Sequence, residues 1–314
     1  MLDPVSLFEF DPHVDRRTVR ARTLLVTLGS RDPGHTQRTI TQHLLNTLPN
    51  HRLGGVDSDQ VLDYGALRPG IGFERDHFTG YRTPTIDLHH VSDAQGKSFL
   101  LLAGPEPSLQ WERLVGTVDY LIDQFDITET VILQGVPAPA PHTRPLHVSR
   151  FAGGPDLVPV EDSVPMAFEM GATFTSLLSL RLGERGRTVT GLVAHVPHYL
   201  AQGDVPEAAI ALLDRLSGRT RLELPLGGLP AAAQILRERV DAEVTESEEA
   251  QQMVAQLEEQ FDHFMTQRSL TQGAAAVPSA DEIGAQVEDF LRGLDDEDGS
   301  AGDDGAVGDS DDTE

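Results

Sequence analysis

Thr23-Leu24-Leu25-Val26-Thr27-Leu28-Gly29-Ser30-Arg31-Asp32-Pro33-Gly34-His35-Thr36, with the residues that follow to Leu48, decides the fold class. TLLVTL is a short apolar run containing β-branched residues, and it stops at Gly29. A polar loop follows, and from His35 to Leu48 the apolar Ile40, Leu44, Leu45 and Leu48 recur at helical spacing. That reads as strand, loop, helix. Outward from it, further strands are predicted at Gly55–Asp57, Thr85–Val91, Ser98–Ala103, Thr130–Gln134, Leu146–Phe151 and Thr188–His195. Helices are predicted at Ser108–Gln124, Ala172–Gly186, Pro206–Leu216 and Pro230–Arg268. Several strands are continuously apolar, as strands covered on both faces are. The expected class is α/β, a mostly parallel sheet between helices, with a helical C-terminal part.

Composition narrows the chemistry. The 314 residues include no cysteine and carry a formal net charge of −26. A disulfide framework, a thiolate metal site and a cysteine nucleophile are thereby excluded. Met1–Phe10 holds acidic residues and no basic one, so no secretory leader is expected and the cytoplasm is the expected compartment. No apolar run approaches the ~20 residues of a membrane span. An acidic balance of this size repels nucleic acid and anionic lipid, so neither is an expected partner.

The charge is unevenly placed. Asp295–Glu314 holds ten acidic residues and Asp241–Asp262 eight more, without a basic residue in either. Residues 1–228 are expected to form the α/β core and 229–268 a helical extension packed on the core or on a neighbouring subunit. Within the extension Val240, Val244, Met253, Leu257, Phe261 and Phe264 draw a narrow apolar stripe with an acidic back. Residues 269–314 read as a linker, a short amphipathic helix at Ser279–Leu294 and a disordered acidic tail.

Four segments carry residues able to do chemistry. Gly29–Thr36 joins a strand to a helix, where backbone amides favour an anion. It matches the P-loop glycines and threonine but has histidine in place of the phosphate-binding lysine. Either Arg31 and the amides hold an anion weakly, or the glycines make a tight turn and Asp32 or Thr36 caps the helix. Gly104–Arg113 (GPEPSLQWER) follows a strand directly. Glu106, Trp111 and Glu112 are either ligand groups or the rigid start of a helix with Ser108 as N-cap. Gly135–Pro145 contains four prolines that restrict His142, Thr143 and Arg144 to a fixed presentation, suited to an anionic group or to a subunit contact. Ala194–Leu200 places His195, His198 and Tyr199 at a strand end. A metal there lacks an apparent third ligand, and a buried, hydrogen-bonded His and Tyr explain the same residues. All four segments sit at strand carboxyl ends and are expected to converge into one crevice. No nucleophile elbow or dinucleotide fingerprint is present, and no cofactor is expected.

Gly29–Gly34, VLDYGALRP at Val61–Pro69, LLLAGPEPSLQWER at Leu100–Arg113, GVPAPAPHTRP at Gly135–Pro145 and GLVAHVPHYLA at Gly191–Ala201 together resemble the actinobacterial branch of the proteasome assembly chaperone 2 family. The resemblance covers roughly residues 5 to 268. It implies a three-layer α/β/α sandwich similar to the purine nucleoside phosphorylase fold and self-association, with a trimer suggested; it does not imply an enzyme. Proteasome subunits enter as partners by analogy with eukaryotic and archaeal relatives. Some relatives end in a hydrophobic-Tyr-x docking tail. This chain ends Asp311-Asp312-Thr313-Glu314, so that element is expected to be lacking. The sequence thus points to a non-catalytic, chaperone-like interaction protein. The competing expectation is a nucleoside-like or anionic ligand, or a hydrolase or phosphorylase-like reaction, in the strand-end crevice.

Overall fold

Along β2 (Thr23–Gly29), every residue from Thr23 to Leu28 is buried. Leu24, Val26 and Leu28 enter one apolar cluster and Leu25 the other, the alternation of a strand with helices on both faces. The computed structural model describes residues 2–29, 32–155, 157–159, 162, 167 and 169–274. Arg31, the amphipathic segment at Ser279–Leu294 and the acidic tail lie outside the described residues.

In chain order, β1 (Phe8–Phe10) and β2 are followed by α1 (Thr36–Thr47), β3 (Asn50–Val56), α2 (Ser58–Val61) and α3 (Tyr64–Leu67). Then come β4 (Gly72–Glu74), β5 (His77–Thr79), β6 (Ile86–Ser92), β7 (Ser98–Pro105), α4 (Trp111–Gln124), β8 (Glu129–Ala138) and β9 (Val148–Ala152). The remainder is α5 (Phe174–Glu184), β10 (Val189–Pro197), α6 (Pro206–Thr220), α7 (Leu229–Thr245) and α8 (Glu248–Ala274).

Eight strands make one sheet in the order β1-β3-β6-β7-β2-β8-β10-β9, and β4 and β5 pair apart from it. Among the described residues, parallel pairing is confined to β7–β2, β2–β8 and β8–β10. β1, β3 and β6 on one side and β9 on the other add antiparallel. The sheet is therefore mixed rather than mostly parallel. The cause is local: Asp93–Lys97 joins β6 to β7 by a short turn, and a crossover helix needs a far longer connection.

One cluster packs α4 and α5 on the face holding Leu100, Leu102 and Ile132. The other packs α1, α6 and α7 on the face holding Leu101, Val131, Leu133 and Leu192. The architecture is α/β, with helices on both sides of the sheet and two helices at the C-terminal side. The predicted helix at Pro230–Arg268 divides near Glu246–Ser247, and Leu236, Val240, Val254 and Leu257 are buried. Residues up to Phe264 form one compact unit, and Met265–Ala274 continues α8.

Candidate functional site

The carboxyl ends of β7, β2, β8 and β10 lie side by side on one edge of the sheet. Open α/β sheets place ligand crevices at such an edge.

After β2, the loop turns through Gly34, whose φ of 67° is the left-handed conformation that favours glycine. A Cβ there would meet the Val205 side chain at 2.9 Å. The Asp32 carboxylate accepts from the Gln37 amide at 2.7 Å and from the Arg38 amide at 2.9 Å, so it caps α1. Burial raises the pKa of Asp32, and those amides oppose the rise. Above Gly29 the space is filled by the buried Gln37 side chain, whose Nε2 donates to the Leu133 carbonyl at 2.8 Å. The two amides that would cradle an anion thus already hold one, the protein's own aspartate. His35 and Arg38 both turn to Asp204, at 2.8 and 2.6 Å, and hold its carboxyl below the usual range.

After β7, Glu106 accepts from the Phe174 amide at 2.6 Å and so caps α5. Trp111 Nε1 donates to the Pro107 carbonyl at 2.6 Å, and its ring meets Phe174 edge to face. Glu112 pairs with Arg181 at 2.8 Å, which holds its carboxyl below the ordinary value. Ser108 is not the N-cap. Its amide and that of Leu109 are bonded to the Val61 carbonyl, and α4 starts at Trp111 after Gln110 in a left-handed conformation. This segment ties α4 to α5.

β8 is longer than its apolar run predicts. Val136, Pro137 and Ala138 pair with β10, while the ladder to β2 has ended at Ile132. Pro137, with no N–H, fits a strand whose other side is free. Beyond it, His142 is buried between two partners. Its backbone N–H donates to the Tyr199 hydroxyl at 2.8 Å, Nδ1 lies 2.7 Å from the same hydroxyl, and Nε2 lies 3.0 Å from Asp241 of α7. In the neutral imidazole the carboxylate places the proton on Nε2, and Tyr199 then donates to Nδ1. Burial raises the Tyr199 pKa, which keeps the hydroxyl a donor. Thr143 Oγ1 donates to Glu258 of α8. Arg144 forks onto Asp262 at 3.0 and 2.9 Å and reaches Glu258 at 3.0 Å. Three successive loop residues thereby grip three carboxylates of the helical extension.

The remaining histidines go elsewhere. His195 Nε2 bonds Ser149 Oγ at 2.8 Å, and its ring lies tilted against that of His147, 4.9 Å between centres. His198 is exposed, with Nδ1 3.4 Å from the Ala138 carbonyl and its ring perpendicular to Tyr199. Among the described residues no three of His, Asp and Glu gather as metal ligands. A cavity of about 30 Å³ lies between His142, Arg144, His195, Glu207 and Arg237, room for about one water.

Of the residues singled out in the sequence, His142, Arg144 and His195 line that small cavity, while Asp32, Thr143 and Tyr199 lie outside its lining and are bonded to their own neighbours. Glu106, Trp111 and Glu112 belong to the opposite helix layer. Sequence reading missed Gln37, and it placed Asp241, Glu258 and Asp262 on a solvated helix back. The available signal was the i, i+4 spacing of Glu258 and Asp262 beside buried Leu257, opposite a proline-fixed arginine with no local acid.

The sequence model of the PAC2 family matches residues 26–244. No curated protein is matched. Among solved structures the chain is similar to a Mycobacterium tuberculosis protein of unknown function, with 34% identity, 85% of this chain and 92% of that one covered, and a TM-score of 0.78. It is also similar to a Corynebacterium glutamicum protein of unknown function, with 31% identity, 82% and 97% coverage and a TM-score of 0.74. A Mycobacterium tuberculosis proteasome-assembly chaperone homologue shares the fold at 24% identity, with 74% and 99% coverage and a TM-score of 0.65.

Proposed function

Since the chain belongs to the PAC2 family, we propose that it acts by holding other proteins, as a non-catalytic assembly factor, and that it self-associates. One observation carries this reading. The polar residues at the strand carboxyl ends, where a substrate would lie, are bonded to one another and to α7 and α8. His142 has Tyr199 and Asp241, Arg144 has Glu258 and Asp262, and the α1 amides have Asp32. A reacting group needs an open position within about 3 Å of its base and its charge-stabilising donors; a cavity of about 30 Å³ leaves little room for one. Proteasome subunits are the partner class this reading favours, because a protein of the same fold is described as a proteasome-assembly chaperone homologue. The cytoplasm is the compartment it requires, and among the described residues no helix is long and apolar enough to cross a membrane.

The test is a thermal-shift series with full-length protein against nucleosides, nucleotides and inorganic phosphate. No stabilisation is expected. A ligand at 100 times its dissociation constant adds about 2.7 kcal/mol of apparent stability, so a saturable shift with any member of the panel refutes a purely protein-binding role.

A further inference from the structure

The arginines of this chain divide by what they face. Among the described residues, ten meet a carboxylate. Arg16, Arg17, Arg20 and Arg22 meet none, although 50 acidic residues outnumber 24 basic ones in the chain. All four are exposed. The Thr18 amide donates to the Asp15 carbonyl at 3.0 Å, which sets Arg16 and Arg17 at the centre of a turn. Beyond the turn burial alternates: Val19, Ala21 and Thr23 are buried, so Arg20 and Arg22 leave the chain on the same, outer side. Two of the four are held without a carboxylate. The Arg20 guanidinium donates to the Arg17 and Val19 carbonyls at 2.6 and 2.9 Å, and that of Arg16 sits 4.7 Å from the centre of the Phe10 ring. Asp15 is the single acid from His13 to Arg22, and its carboxylate accepts from the Arg17 backbone N–H at 3.0 Å.

We propose that this arginine cluster is the docking site for a short acidic segment of a partner protein. The proposal rests on the protein-holding reading above and names the chemistry of what is held. Charge selects the occupant. On so acidic a chain an exposed arginine readily finds a carboxylate of its own, and a cluster that finds none keeps its planar forks open to carboxylates from outside. Spacing agrees. Arg20 and Arg22 stand about 7 Å apart along an extended backbone, the separation of carboxylates at alternate positions of an extended acidic peptide. The turn and the Arg20 bonds order the cluster in advance, which lowers the entropy lost on docking. The chain's total of −26 does not forbid this approach. At physiological ionic strength the screening length is about 8 Å, so an incoming segment senses the cluster and little of the acidic remainder. Length separates peptide from nucleic acid. A nucleic acid is charged along its whole length and runs past the cluster onto that remainder, whereas a short acidic segment confines its charge to the four arginines.

The experiment is fluorescence anisotropy on the full chain with a labelled peptide of alternating glutamate and threonine, beside a labelled oligothymidylate of equal charge, in about 0.1 M salt. The variants are Arg16→Ala/Arg17→Ala and Arg20→Ala/Arg22→Ala. Arg215→Ala/Arg221→Ala is the charge-matched control, on and just after α6 in the opposite helix layer, where both arginines are exposed. Circular dichroism and melting temperature show that each variant keeps the fold. The expected result is saturable binding of the peptide, weakened roughly fivefold or more by each cluster variant, unchanged in the control, and lost in about 1 M salt, where the screening length falls to about 3 Å. No binding of the peptide by the wild type, or the same loss in the control, overturns the cluster as a docking site and leaves the protein-holding reading standing. Oligothymidylate bound more tightly than the peptide and released by the cluster variants overturns the acidic-segment assignment and, with it, a role confined to holding proteins.

Discussion

Tyr199 supplies the single hydroxyl on which the His142 position depends: it accepts from the His142 backbone N–H and donates to Nδ1. Tyr199→Phe leaves a buried donor and a buried acceptor without partners, whereas the ring still packs. The expected loss is about 1–3 kcal/mol in chemical denaturation. An unchanged midpoint would mean that the hydroxyl faces a ligand site and not the protein. Little of this pairing was legible in the sequence. His142, Thr143 and Arg144 stood out because four prolines restrict their backbone. Their partners are 57 to 118 positions away, and apart from the i, i+4 spacing of Glu258 and Asp262 the sequence does not mark contacts that only the docking of α7 and α8 creates. Asp32 was easier, since a helix N-terminus calls for a capping acceptor within a few residues.

At the scale of elements, the contact of α8 with the proline loop has a pH window. The Arg144 guanidinium bonded to Asp262 holds that carboxyl below its ordinary value. A depressed carboxyl pKa contributes stability that is complete above the unfolded value, near 4, and is lost as pH falls through the folded value. Amide exchange in Glu248–Asp262 is therefore expected to quicken as pH drops from about 5 toward 3, after correction for intrinsic rates. Arg144→Gln should remove most of that dependence, and equal dependence in both proteins would show that α8 is held by its apolar face alone. The central strands and the long helices were readable because apolar runs and 3.6-residue periodicity report burial directly. β1, β4 and β5 are three-residue strands without such a pattern. The extra length of β8 was hidden by Pro137, a residue that argues against a strand unless one neighbour is known to be missing. Antiparallel addition at the sheet edges follows from connection geometry, which composition does not encode.

For the whole molecule, the charge of −26 resolves into parts with different roles. Asp241, Glu258 and Asp262 hold the helical extension to the strand-end loop. At the strand-end edge, where open α/β sheets place ligand crevices, the polar side chains are bonded to one another and to α7 and α8. Native mass spectrometry of the chain, isolated gently from its own cells, reads ligand and partner at once. The account predicts masses of the chain joined to protein, either further copies or another subunit, with no small molecule retained in stoichiometric amount. A chain that carries a stoichiometric nucleoside-like or anionic ligand and no protein would contradict it.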